Sequence, residues 1–397
     1  MIDLYLLSVI LFFSMLAVLI YRDRKNIDFK YYILFMRRTK RFRDVLDRIA
    51  RKSILFWKIV GTIAIVVCLY FMAQGTYALI NTAYLVYTGV ITQPALQIAL
   101  PIPSSQMTVG PGFIGIPFWF WIIVIAVILV PHETFHGIIA RAEKIKLKDV
   151  GLLLLAIFPG AFVEPDEKQL EKSKTMTKLR IFAAGSFINI LIGISVMFLV
   201  QYLIWAPNTN GLLITSVNET SPAGLLGLKP GMVLESIDGK GMNITFNDYS
   251  FLFLMVPNSN TENITYVMSS LVLSRRLEDY KPGDVVTLNV DGAEHALKLG
   301  EHPQIKDFPF IGIGSRVNVR DISLFLIVFP ILGMIASLSL LVGIFNILPI
   351  YPLDGGLIVK AIAERFFKKK ANKITMAITI FLVIIILYSF VSGFIKF

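Results

Sequence analysis

Six stretches, at roughly 3–21, 55–79, 116–140, 180–205, 322–348 and 374–395, are long and apolar enough to cross a bilayer, which takes about 20 residues each. A chain with so many is read as a mainly α polytopic membrane protein. Composition agrees: hydrophobic residues make up 55% of the 397 and charged residues 16%, with a mean hydropathy of +0.70, far from a soluble globular average. The net charge of +11 invites a nucleic-acid reading. The basic residues instead concentrate beside the apolar stretches, so their expected partner is the lipid bilayer and no nucleic acid is expected. Cys68 is the sole cysteine, which excludes an internal disulfide and any metal site built from four thiolates. The first stretch lacks the basic flank and small-residue cleavage site of a signal peptide.

A dozen Lys and Arg residues lie between Arg22 and Lys52, and none between Ile59 and Ala140. The positive-inside rule then puts 22–53 in the cytoplasm and 80–115 outside or dipping into the membrane. Alternation puts 141–178 and 365–373 inside, 206–320 outside, and both termini outside. The expected divisions are 1–53 (first span and basic cytoplasmic loop), 54–205 (membrane segment), 206–310 (extracytoplasmic domain) and 311–397 (membrane segment). Two parts of the second division are unusual. The uncharged 80–115 segment, broken by Pro94, Pro101, Pro103 and Pro111, is a poor helix. It reads either as a re-entrant loop or as an apolar exterior loop. Gly151–Val163, about 13 residues, is too short to span as a helix, so re-entry or a membrane-embedded hairpin is expected. Irregular backbone at that depth must be buried in protein or line a wet cavity.

The chemistry sits in His132-Glu133-Thr134-Phe135-His136, after the uncharged run Ile116–Val130. Histidines at i and i+4 share one helix face, close enough to bind one metal ion, and a Glu beside the first is the usual general base of a zinc peptidase. Ionisable residues at membrane depth are costly and functional by default. Pro131, just before His132, offers a kink that admits water, although Pro is common in membrane helices without that role. A third ligand is available in Asn346-Ile-Leu-Pro349-Ile-Tyr-Pro352-Leu353-Asp354-Gly355-Gly356. The topology carries Asp354 and the His pair to the cytoplasmic ends of their spans, and two His plus one carboxylate leave a fourth tetrahedral position for water. Pro349 and Pro352 are expected to break the helix, and the two glycines to let the backbone turn tightly behind Asp354.

His-Glu-x-x-His in one span, Asn-x-x-Pro followed by Leu-Asp-Gly in another, and a PDZ-like insert between them resemble the site-2 protease family of intramembrane metalloproteases. Phe158–Val163 resembles the animal-type branch, and the likeness covers roughly Gln93 to Gly356. The resemblance implies one Zn2+ per chain held by His132, His136 and Asp354, with Glu133 activating the water. It also implies cleavage of single-pass transmembrane substrates near the cytoplasmic side, as in regulated intramembrane proteolysis. Asn346 matches the family's Asn before the Pro, where an amide steadies the substrate or the developing oxyanion. Gly185 and Asn189 resemble the family's Gly-x-x-x-Asn; close helix packing and one interhelical hydrogen bond explain them equally well.

The exterior region differs from the rest. Gly211–Val217 has strand character, followed by Ser221–Gly231, Met232–Gly239 and Lys281–Val290 with Gly at turn positions. This resembles a small α+β PDZ-like domain over about 207–303, with 250–280 as a helical insertion. Two readings stand: a groove that takes a peptide or substrate stub as an added strand, with Asn210–Leu213 as carboxylate loop, or a rigid cap that limits access. Asn218, Asn243 and Asn263 each open an Asn-x-Thr acceptor pattern, usable only on the outer face. Two other classes remain: a zinc membrane peptidase whose third ligand is a carboxylate on a different helix, and a non-catalytic scaffold with a structural metal.

Overall fold

The computed structural model describes residues 3–30, 34–91, 95–110, 112–155, 158–205, 209–242, 261–303, 305–319 and 322–391. The chain divides into two compact units, Met1–Ile194 with Ile335–Phe397, and Ser195–Met334.

The first unit opens with α1 (Leu4–Arg22), capped by Asp3, whose carboxylate accepts from Tyr5 N–H at 2.9 Å. Next come β1 (Ile27–Lys30), β2 (Leu34–Arg38) and α2 (Lys40–Lys52), in a segment read from sequence as a basic loop. The α2 helix turns Leu46 and Ala50 inward, where they join Ile138, Ile139 and Ala142 in one buried cluster. Its charged side stays exposed, the pattern of an interfacial helix. Helix α3 (Ile54–Tyr87) runs eight residues past the expected end of the second span, so the first part of 80–115 is helical. The poor-helix expectation fails there because no proline occurs before Pro94, which lies outside the described residues, as does Pro111.

The rest of that segment is a three-stranded sheet of β3 (Ile98–Ile102), β4 (Thr108–Gly110) and β5 (Phe113–Pro117), in the order β3-β5-β4. Pro101 falls on edge strand β3, where a missing N–H is tolerated. Then α4 (Phe118–Ala142) carries the two histidines. The Gly151–Val163 stretch lies in an antiparallel hairpin, β6 (Leu147–Leu155) and β7 (Phe158–Pro165), with Gly151 paired to Phe162 and Leu152 to Ala161. The β1–β2 pair extends it to four strands in the order β1-β2-β6-β7, leaving β7 at the edge. Strand pairing satisfies the backbone that a short helix could not.

Helix α5 (Glu167–Glu171) leads to α6 (Thr175–Leu199), which continues as a π-helical turn, Val200–Trp205. In the second unit, β8 (Thr209–Val217), α7 (Pro222–Leu225), β9 (Val233–Ile237), β10 (Lys240–Gly241), α8 (Thr261–Leu277), β11 (Val285–Val290), β12 (Ala293–Lys298), β13 (Gly300–Glu301), β14 (Pro309–Phe310) and β15 (Ile313–Val319) follow. Its main sheet has the order β12-β11-β9-β8-β15, with β10 on β9. Leu212, Ile214, Leu234, Met268, Val272 and Leu288 fill the space between α8 and the sheet. The acceptor pattern at Asn243 and residues 250–260 of the expected insertion lie outside the described residues, and Asn263 falls within α8.

The chain returns through α9 (Ile322–Ile347), α10 (Asp354–Phe367) and α11 (Ala371–Val391). Among the described residues, five helical stretches are long and apolar enough to cross a membrane: Leu4–Arg22, Ile54–Tyr87, Phe118–Ala142, Thr175–Tyr202 and Asp354–Val391. The expected fifth span falls on α9, whose described apolar part, Ile331–Ile347, is shorter. Within the first unit, α6 and α9 approach closely at Gly193 and Gly343. A Cβ on Gly193 would stand 2.9 Å from the Ala336 carbonyl, and one on Gly343 3.1 Å from the Ser186 carbonyl.

Charged groups tie the helix ends. Arg180 of α6 pairs with Glu143 at 2.7 Å, and Lys178 with Glu364 of α10 at 2.9 Å. Asp47 of α2 binds Arg141 at the end of α4, and Arg51 at 2.8 Å. The Arg141 hydrogen bond holds the Asp47 carboxyl below its ordinary range. A depressed folded pKa contributes stability that is present above the unfolded value, about 3.9, and is lost as pH falls through the folded one. We expect Asp47→Asn to lower Tm at pH 7 by about 2–4 °C, with the gap to wild type closing below about pH 4. A gap that does not change with pH in thermal melts contradicts this role.

Candidate metal centre

His132 and His136 stand one turn apart on α4, with Nε2 atoms 3.2 Å from each other. Asp354, the first residue of α10, reaches both: Oδ2 lies 3.5 Å from His132 Nε2, and Oδ1 lies 3.4 Å from His136 Nε2. The three ligand atoms lie within 4.8 Å of one another, and His132 is only 7% exposed. Asp354 owes its position to the two glycines after it. Side chains on Gly355 would run into the Ile347 and Leu348 carbonyl oxygens, and on Gly356 into the backbone at Ile350 and Tyr351. Neither glycine has a positive φ, so the expected tight turn is corrected to close packing: α10 starts pressed against the chain leaving α9.

The other wall is one face of α6. Ile181 offers its carbonyl oxygen to His136 Nδ1 at 2.7 Å, so Nδ1 carries the hydrogen and Nε2 presents a lone pair. At Gly185 there is no room for a side chain: a Cβ would stand 2.6 Å from His132 Nε2 and run into His136 Nε2. Ser186 Oγ donates to Asp354 Oδ2 at 2.8 Å. The Asn189 amide meets His132 Nδ1 at 3.1 Å, with its Oδ1 buried and unpartnered. Turned over, the same amide accepts His132 Nδ1–H through Oδ1, which leaves His132 Nε2 with a free lone pair as well. Residues 181, 185, 186 and 189 recur at helical spacing, so one stripe of α6 supplies the cradle and these orienting contacts.

Two imidazole lone pairs and a carboxylate oxygen facing one another have no hydrogen to share, and bringing them together out of water is costly unless a cation lies between them. Nitrogen and carboxylate donors in this number suit a divalent metal such as zinc, with coordination left over. The residues present therefore fit a metal ion.

Glu133, the next residue along α4, points to the sheet, where its Oε2 accepts Val163 N–H from edge strand β7 at 3.1 Å. The structure thus brings His132, His136 and Asp354 together, with Glu133 adjoining on the same helix. Asn346 sits half-buried in the last turn of α9; among the described residues no hydrogen bond joins it to the cluster. Sequence reasoning missed Ser186 and the Ile181 carbonyl and left Gly185 and Asn189 undecided. For Asn189 the available signal was an amide side chain within a long, mostly apolar stretch, since polar groups at that depth need partners; the structure shows it and Ser186 wholly buried.

A sequence profile described as peptidase family M50 matches residues 120–388. An uncharacterized protein of Methanocaldococcus jannaschii is 25% identical over 361 residues, covering 90% of this chain and 85% of the relative. The membrane-bound transcription factor site-2 protease homolog of Arabidopsis thaliana is 32% identical over 142 residues, 34% of this chain and 26% of that protein.

Gly185→Ala is expected to abolish metal binding in a protein that still folds, because the added methyl occupies the space beside both Nε2 atoms. Asn189→Ala is expected to weaken metal affinity by roughly 10–100-fold through loss of His132 orientation. Metal content after dialysis, measured beside wild type, checks both; full loading of Gly185→Ala would refute the cradle.

Proposed function

The chain belongs to peptidase family M50, and from that premise we propose a residue-level mechanism for an intramembrane zinc endopeptidase that cleaves single-pass transmembrane proteins. Membership makes the protein an intramembrane metalloprotease of the site-2 protease kind. We assign its single Zn2+ to His132, His136 and Asp354. The observation that carries this assignment is the convergence of two Nε2 atoms and one carboxylate on the bare backbone of Gly185.

Bound there, zinc supplies a Lewis acid that polarises a carbonyl and lowers the pKa of water toward about 7. Ser186 and the Ile181 carbonyl hold Asp354 and His136 in orientation. Glu133 takes a proton from the attacking water and passes it to the leaving amine nitrogen. The Val163 N–H fixes one of its carboxylate oxygens, leaving the other for this work. A scissile carbonyl within a helix is tied up by its own hydrogen bond, so the substrate must unwind locally. Edge strand β7 supports a solution: an extended segment adds as a further strand and recovers its backbone bonds. Val163 N–H points away from β6 toward Glu133, and by the two-residue alternation of an antiparallel ladder Ala161 shares that outward side. Asn346 we assign to steadying substrate or the developing oxyanion, a role that rests on its motif.

The sidedness we propose follows the charge pattern: active site toward the cytoplasm, 206–310 outside, six spans. The second unit, which begins within α6 and ends within α9, combines an antiparallel sheet with α8. Together with its glycine-marked turns this supports a PDZ-like reading. We assign it to selecting which substrates gain access, by size or by holding a trimmed stub, and not to bond cleavage.

Glu133→Gln keeps shape and packing, so we expect folded, zinc-loaded protein with cleavage reduced about 10²–10⁴-fold. Asp354→Asn is expected to lose zinc and activity together. Cleavage assays paired with metal analysis check both; zinc unchanged in Asp354→Asn would remove it as a ligand. For sidedness, with Cys68 replaced, an impermeant thiol reagent applied outside is expected to label a cysteine introduced at Asn218 and not one at Lys370. The reverse labelling would invert the topology.

A further inference from the structure

An apolar cavity of about 220 Å3 lies beside Glu133, walled by three elements of the first unit. Helix α4 contributes Val130 and Glu133, three residues apart on one face. Thr39, which precedes α2, and Phe42 form a second wall. The third is the hairpin, through Gly151 and Leu152 of β6 and their cross-strand partners Phe162 and Ala161 of β7, with Val163. Among the described residues, Glu133 is the only ionisable group lining it. The family profile begins at residue 120, so the Thr39–Phe42 wall belongs to a part of the chain outside it.

We propose that this cavity receives the side chain of one of the two substrate residues flanking the scissile bond, and that it selects a large apolar residue, Leu or Phe, at that position. The proposal rests on the reading of Glu133 as the base. A group that takes a proton from the attacking water and returns it to the leaving nitrogen lies within hydrogen-bond reach of the reacting bond, so the flanking residues come next to whatever adjoins Glu133. Val163 N–H, bonded to that carboxylate, fixes the position of β7 relative to the bond. A substrate strand added to β7 sends alternate side chains to opposite faces of the sheet. One set falls on the face shared by Leu152 and Ala161, two of the residues that line the cavity. An apolar cavity of about 150 Å3 already accepts a benzene ring, so the volume suits a Leu or Phe side chain. The lining offers a polar or charged side chain only the Thr39 hydroxyl and a carboxylate already in use.

The test takes one membrane-spanning substrate with its cleavage point mapped, and places Ala, Leu, Phe, Trp and Asp in turn at each of the two flanking positions. Purified wild type is compared with Phe42→Ala, which enlarges the cavity, and with Ala161→Leu and Thr39→Leu, which fill it from opposite walls. Zinc content serves as the folding check for each. At one flanking position wild type is expected to favour Leu or Phe over Ala, Trp and Asp by about tenfold or more in kcat/KM. Phe42→Ala should move the optimum to Trp, and both filling variants should move it to Ala. An unchanged ranking in all four enzymes, or a flat profile at both positions, overturns the pocket while leaving the protease intact. Zinc-loaded wild type that cuts none of the substrates overturns the proteolytic reading, and the pocket with it.

Discussion

The site depends on a side chain that is absent. Gly185 lets α6 lie directly against both imidazole Nε2 atoms, and the residues around it on the same stripe hold His136, Asp354 and His132 through a carbonyl, a hydroxyl and an amide. Donor atoms buried this way repel one another and lack hydrogens to share. They stay together only where their outer atoms are fixed and a cation neutralises the centre. The close approaches at Gly193 and Gly343 then have a purpose beyond packing: they set α9 against α6 and so fix where α10 begins with Asp354. Small residues at these contacts do what Leu would do in a soluble core, since lipid gives helices no hydrophobic drive to associate.

A β-sheet beside the metal centre is the second constraint. Helical substrates hide their carbonyls, and hydrolysis needs them exposed and extended. The β6–β7 hairpin leaves β7 at the sheet edge with Val163 bonded to Glu133, and β1–β2 backs it from the far side, which is why we assign that edge to the substrate strand. Helix α2 packs on α4 and on β6, tied by Asp47 to Arg141. The basic segment between the first two spans therefore serves structure: most of its charges face outward while Leu46, Ala50 and Phe42 complete the interior.

The sequence made some of this legible and some not, for definite reasons. Apolar length marked the spans because the bilayer imposes one thickness on all of them. The i, i+4 histidines were legible because helix geometry alone brings them together, and Asp354 because topology brought it to matching depth. Strands β3 and β5 escaped, since short apolar runs have no periodicity that separates strand from coil or helix, and β1 and β2 escaped because each is short, carries two charges and reads as part of a basic loop. The eight extra residues of α3 escaped because an uncharged run carries no stop signal until its first proline. Ser186 and the Ile181 carbonyl were hidden for a different reason. A backbone acceptor has no sequence signature, and a serine in a span announces itself only once its partner, 168 residues away, is known.

Hydrolysis at a zinc ion within the membrane unit is open to direct test. The most direct measurement is cleavage of a membrane-spanning substrate by the purified full-length protein in lipid vesicles, before zinc chelation, after it, and after zinc is returned. Hydrolysis at zinc requires cleavage that chelation stops and zinc restores, with no cut by protein carrying His136→Ala under any of the three conditions. Cleavage that continues through complete removal of zinc would contradict it.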